Sequence, residues 1–134
     1  MKTLRVLTIR EPWASLIGLG IKKIETRSWS TSYRGTLYIH AGKNIIPKND
    51  ARRNKGLEYL KDSPLHYGEI FLKCTLVDCI QIDDEFAQKV NLSDPINYFC
   101  GNYKVGRYAW VLENITYIKP IPAAGHLSIW KYNE

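Results

Sequence analysis

Cysteine is scarce and unpatterned in this chain: Cys74, Cys79 and Cys100 are the whole complement in 134 residues. An odd number with no CxxC pair excludes a disulfide framework and a zinc ribbon, and leaves reduced, mostly buried thiols as the expectation. Histidine is equally sparse, and His40, His66 and His126 lack the spacing of metal ligands, so no metal site and no cofactor is expected. Long apolar runs are missing too. No stretch reaches the ~20 apolar residues of a membrane helix, and the start, MKTLRVLTIREPW, has no run suited to a signal peptide. The expectation is a protein without membrane contact that stays in the cytoplasm. Ser15, Ser28 and Ser128 have none of the glycine-flanked context of a hydrolase nucleophile. There is no internal repeat, linker or low-complexity tract.

What is present is an ordinary globular composition, 45% hydrophobic and 24% charged, with Lys and Arg exceeding Asp and Glu by 19 to 13 for a formal charge of +6. Such a length fits one domain over residues 1–134. A cationic excess on so small a surface favours polyanionic partners through counterion release, although charge alone is equally served by solubility.

Periodicity predicts a short strand over Leu4 to Ile9 with both faces partly apolar, then a helix of about two turns from Glu11 to Leu19, opened by Pro12 and ended by Gly20. Lys23, Glu25, Arg27 and Trp29 next alternate with Ile24, Thr26 and Ser28, which is a strand with one strongly polar face. Thr36 to His40 makes another strand. Pro47 to Asp62 reads as an exposed, charged helix frayed near Gly56, and Glu69 to Ile82 as a long central strand with a bulge at Asp78. A short helix from Asp84 to Val90, a loop over Ser93-Asp94-Pro95, strands over Tyr108 to Asn114 and Thr116 to Ile118 broken by Pro120 and Pro122, and an edge strand from Leu127 to Lys131 complete the chain. Runs of strands with two or three intervening helices give an α+β class, a small mixed barrel with a cleft on one side.

The densest chemistry lies in Gly20-Ile21-Lys22-Lys23-Ile24-Glu25-Thr26-Arg27. If Glu25 and Arg27 share a strand face, the carboxylate fixes the planar guanidinium for an incoming phosphate or base edge, and Lys22, of the other parity, joins them only from the turn. The pattern by itself is equally that of a solvated edge strand with ordinary ion pairs. Trp13, Trp29, Tyr33, Tyr108 and Trp110 lie nearby, and stacking is worth about 1–3 kcal/mol per base. Trp110 alternates with Tyr108 and Leu112 and reads as packing, whereas Trp29 and Tyr33 flank a turn and are the better ligand candidates. His40 ends a strand before Gly42-Lys43, where it faces either the cleft or the core.

Gly20, Lys22, Glu25 and Arg27 fit a GxKxxExR pattern, and the stretch with its flanks, Leu7-Thr8-Ile9-Arg10-Glu11-Pro12-Trp13-Ala14, Arg27-Ser28-Trp29, Tyr33-Arg34-Gly35 and Ile39-His40-Ala41, resembles the ASCH family, the activating signal cointegrator homology domain. The likeness returns at Gly106 to Glu113, while residues 48–102 match only in length and character. It implies a PUA-like β-barrel whose cleft, beside the helix after the first strand, faces RNA. Many relatives have Gln where this chain has Glu11, which puts a negative charge near the expected cleft mouth.

Three functions follow from the resemblance. A binding domain would hold the phosphates of single-stranded RNA, or a modified nucleoside, on Lys22, Arg27, Arg34 and Lys43, oriented by Glu25, with Trp29, Tyr33 or His40 against the base. A small hydrolase would use Lys22 with Glu25 as catalytic residues, either on acetylated cytidine, where Lys22 must act as a neutral amine, or as a ribonuclease, where Tyr33 or His40 moves a proton. Relatives of the first kind place Thr where this chain has Glu25, and pairing with Arg27 weakens Glu25 as a base. A protein-interaction module associated with transcription or translation would present an apolar patch in place of a charged cleft.

Overall fold

A computed structural model describes residues 2–134. The chain runs β1 (Thr3–Ile9), α1 (Trp13–Gly18), β2 (Ile24–Arg27), β3 (Gly35–Ala41), α2 (Ala51–Leu60), β4 (Glu69–Gln81), α3 (Asp84–Ser93), α4 (Pro95–Phe99), β5 (Tyr108–Pro122) and β6 (Ile129–Asn133). All six strands form one sheet in the order β2-β5-β4-β3-β1-β6. β1 and β3 are parallel, with Val6 opposite Tyr38, and the crossover that a parallel pair needs carries α1 and β2. Every other pairing between these strands is antiparallel.

The long β4–β5 ladder slips register between Ile70 and Leu72, Lys73 and Thr75, and Leu76 and Asp78. Each slip adds bend and twist, and the result is a curled half-barrel. β2 and β6 stay as free ends, so the barrel expected from the sequence is open. α1 lays Ala14 and Ile17 onto Leu7, Ile39, Leu72 and Trp110 on one side of the sheet. Leu4 and Val6, of opposite parity on β1, pack with Tyr38, Ile70 and Trp130 on the other, which is why both faces of that strand read as apolar.

Three local expectations are corrected. α2 runs unbroken through Gly56, because the glycine is where the helix touches Trp13: a Cβ there would lie 3.0 Å from Pro12 Cγ and 3.1 Å from the indole. The loop at Ser93-Asp94-Pro95 is a junction of two helices; Asp94 accepts the Asn97 N–H as N-cap and Pro95 occupies the first turn, raising the helix count to four. Pro120 does not break β5, because β2 covers only Tyr108 to Val111 and the outer edge beyond is unpaired, where a missing N–H costs nothing. The bulge near Asp78 and the central place of β4 are as the sequence predicted.

Asp94 also accepts from Lys23 Nζ at 2.6 Å, and this bond, chiefly, holds its carboxyl below the usual carboxylate range. Asp94→Ala removes the cap, so urea unfolding is expected to show a loss of about 1 kcal/mol.

Candidate functional site

Gly20, at φ 76°, turns the chain out of α1, and the N–H groups of Ile21 and Lys22 both donate to Leu16 O at 3.1 Å. The turn aims Lys22 inward, where its side chain is only 1% exposed. Nζ donates to Ile24 O at 2.8 Å and Cys100 O at 2.9 Å, and it lies 3.3 Å from Glu25 Oε1. Two of the ammonium's three protons are taken by backbone carbonyls, and the carboxylate beside it balances the charge. The other oxygen of Glu25 forms an ion pair with Arg27 Nη2 at 2.9 Å, and the same nitrogen donates to Thr8 O at 2.8 Å. Glu25 and Arg27 thus share one face of β2, and Lys22 meets them from the turn. Arg27 Nε is buried without a protein partner.

The loop after α4 is threaded by cations. Arg52 Nη2 donates to Phe99 O at 2.7 Å and Gly101 O at 3.3 Å, Lys22 takes Cys100 O, and Arg107 Nε takes Asn102 O at 3.1 Å. Arg107 also donates to Thr26 O at 3.2 Å, while Thr26 Oγ1 accepts from Asn102 N at 2.9 Å. Arg52 lies over the rings of Trp13 and Phe99, 5.5 and 5.1 Å from their centroids. Four successive carbonyls therefore each meet a positive group, and each arginine is fixed on one side with the remainder of its five N–H donors uncommitted.

These elements border a cleft of about 900 Å³. Its wall carries Arg10, Lys22, Arg27, Arg52 and Arg107 against the carboxylates Glu25 and Asp50, with Trp13 and Trp29 as the aromatic surfaces. Both free ends of the sheet contribute, Glu25 to Arg27 from β2 and His126 to Ser128 from the loop entering β6. Trp29 is half-buried and meets Trp110 edge-on at 4.8 Å between centroids, whereas Trp110 is fully buried and donates to Trp29 O.

Of the residues singled out from sequence, the cleft gathers Lys22, Glu25, Arg27 and Trp29, but Tyr33, Arg34, His40 and Lys43 are outside its wall. Tyr33 donates to Thr36 O at 2.6 Å beneath the guanidinium of Arg5, and Arg34 holds Thr31 O and Tyr33 O and faces Asp78 at 3.7 Å, which braces the turn into β3. The stem of Lys43 lies against Gly68. Glu11 is buried away from the cleft mouth, accepting from the N–H groups of Ser15 at 2.7 Å and His66 at 2.8 Å.

His40 is fully buried. Its Nε2 donates to Ala123 O at 2.7 Å, so Nδ1 accepts from Thr8 Oγ1 at 3.1 Å, and Thr8 in turn accepts from Trp130 Nε1 at 3.0 Å. Burial, chiefly, holds the imidazole below the usual 6.5. Burial also pushes the Cys74 thiol up to about 12 and raises that of Cys100, which makes both unreactive at neutral pH. Among the described residues no cluster of His, Cys, Asp or Glu is arranged to hold a metal, and no helix is long and apolar enough to cross a membrane.

An open, curled sheet with helices inserted between its strands and a charged cleft at its free ends defines a small α+β half-barrel of the PUA-like class. The chain belongs to the ASCH domain family, whose sequence model matches residues 7–122. It is similar to Activating signal cointegrator 1 of Homo sapiens, 31% identical over 142 residues, and to that of Mus musculus, 33% identical over 84 residues. The first match covers 96% of this chain and 22% of the human protein, the second 62% and 14% of the mouse protein, so this chain spans a small part of either relative.

Arg10, Arg52 and Arg107 belong to the cleft but were not picked out as site residues. Arg10 and Arg107 sit inside the family-like segments, so a signal existed for them. Arg52 stands in a helix whose charge reads as a solvated face, and the packing of Gly56 on Trp13 and of Leu60 on Leu16 holds that helix against the cleft.

Lys22→Met leaves Glu25 without one partner and two carbonyls without donors, and is expected to cost about 3–5 kcal/mol in chemical unfolding. His40 binds its proton more readily in the unfolded chain, so its contribution is complete above pH 6.5 and is lost as pH falls from there toward the lowered folded value. Stability measured from pH 7 to 5 should fall less in His40→Gln than in the wild type, from a starting point about 1–3 kcal/mol lower.

Proposed function

We propose that this cleft binds single-stranded RNA or a nucleotide, with phosphate on Arg10, Arg52, Arg107 and the uncommitted side of Arg27, and a base against Trp29. The observation that carries this function is the set of arginines anchored on backbone carbonyls. A guanidinium held on one edge presents its other donors in a fixed fork, so little rotamer entropy is lost when phosphate arrives. Arg10 is exposed with no ion pair or side-chain hydrogen bond among the described residues, which makes it a free phosphate ligand at the rim. The excess of cations over carboxylates in the wall agrees with the net charge of +6. RNA is preferred to DNA on the strength of the family.

Lys22 and Glu25 serve here as positioning residues: Nζ is committed to two backbone carbonyls and lies against Glu25, and Glu25 orients Arg27. This favours binding over hydrolysis.

The test is fluorescence anisotropy with a labelled single-stranded RNA across a salt series, a single-stranded DNA of the same sequence, and a gel to read product. Wild type should bind with strong salt dependence and leave the RNA intact, and Arg10→Ala should reduce the slope of log affinity against log salt by about 0.7. Absence of binding at low salt would overturn the proposal and turn attention to protein partners; cleavage that disappears in a Lys22→Met protein shown by thermal melt to be folded would replace it with the hydrolase.

A further inference from the structure

A second depression of about 510 Å³ lies beside the cleft. The two share Arg52, Gly101 and Asn102 in their walls, so they adjoin across the loop after α4. At the crossing Gly101 is fixed as glycine by packing, since a Cβ there would come 2.8 Å from Tyr103 Cε1 and 3.1 Å from Thr26 Cγ2. The carbonyls of Gly101 and Asn102 are already occupied by Arg52 and Arg107, which blunts the negative dipoles an anion would otherwise meet on the ridge.

The far side of the ridge has its own equipment. Tyr98 is half-buried and stacks on Tyr103 with centroids 4.8 Å apart and planes 22° apart, a flat aromatic surface supported from beneath. Lys104 is exposed at its margin, no carboxylate lines it, and Arg52 bridges both depressions. A volume of about 300–1,000 Å³ holds a small ligand, so each depression accepts a nucleotide-sized group by itself. A small-molecule site would need only the first.

Resting on the cleft's role in binding, we propose that the ligand is a strand of at least two nucleotides that passes from the cleft over Gly101 into the side groove, with its next base on Tyr98 and its next phosphate at Lys104. Charge complementarity and direct adjacency to the cleft select a single-stranded polyanion with planar bases as the occupant. Tyr98 gives stacking that tolerates any base, and Lys104 gives a phosphate contact independent of sequence.

The experiment compares adenosine monophosphate with hexa-adenylate by calorimetry and anisotropy, using wild type, Lys104→Glu, Tyr98→Leu and Arg10→Ala, each checked for folding by thermal melt. Lys104 is exposed, so its reversal keeps the fold and retains the test if Tyr98→Leu does not fold. Hexa-adenylate should bind wild type about tenfold or more tighter than the monophosphate, Lys104→Glu and Tyr98→Leu should each weaken only the hexamer by about fivefold or more, and Arg10→Ala should weaken both. Equal affinity for the two ligands, or a hexamer indifferent to Lys104 and Tyr98 while Arg10→Ala still weakens it, would overturn the groove and leave the cleft standing. Failure of wild type to bind either would overturn both. A hexaglutamate peptide that competes as well as hexa-adenylate would overturn the nucleic-acid strand in favour of an acidic peptide.

Discussion

The site depends on an ammonium taken out of water. Removing a charge from water costs several kcal/mol, and Lys22 offsets this only because Ile24 O, Cys100 O and Glu25 stand around Nζ at hydrogen-bonding or ion-pair distance. Those partners come from β2 and from a loop nearly eighty residues later, so satisfying one charge on the turn brings three parts of the chain together. Glu25 is held in turn, and through it Arg27 and the end of β1 at Thr8. A hydrophobic side chain in place of Lys22 would pack without specifying which carbonyls face inward.

Around this centre the arginines are arranged by the same economy of donors and acceptors. Loop carbonyls at the end of a short helix are orphans unless something donates to them, and here Arg52 and Arg107 do so with part of each guanidinium. The loop acquires a defined shape and the arginines acquire a defined aim. Structural and recognition roles are therefore carried by the same side chains, and the ordering entropy of the long side chains is spent on folding before a ligand arrives.

How far this was legible in the sequence differs by type of feature. β1, β3, β4 and the Glu25–Arg27 face were readable because period two leaves a clear record, and the bulge at Asp78 because a polar residue interrupts an apolar alternation. The junction of α3 and α4 looks like a loop in the sequence, since Ser-Asp-Pro signals a break equally well when the break is a cap. Tyr33, Arg34 and His40 were candidates by proximity in sequence to the motif, but a turn reverses the chain there, and Thr8 and Ala123 claim His40 for the core. Arg52 was invisible as a site residue, because its meaning depends on a helix docking through Gly56 and on a loop that joins it from residues 99–101.

β2 is held by β5 through four residue pairs, from Ile24 with Val111 to Arg27 with Tyr108, and β6 by β1 at the opposite end of the sheet. The ladder therefore never ties the two walls of the cleft to each other. Their separation is set by the twist of the intervening strands and by one side-chain link, Arg27 Nη2 on β2 donating to Thr8 O on β1 at 2.8 Å, so an occupant that draws them together works against sheet elasticity with no ladder hydrogen bond to break. The gap left by an unclosed barrel is in this sense a jaw whose hinge is the whole sheet.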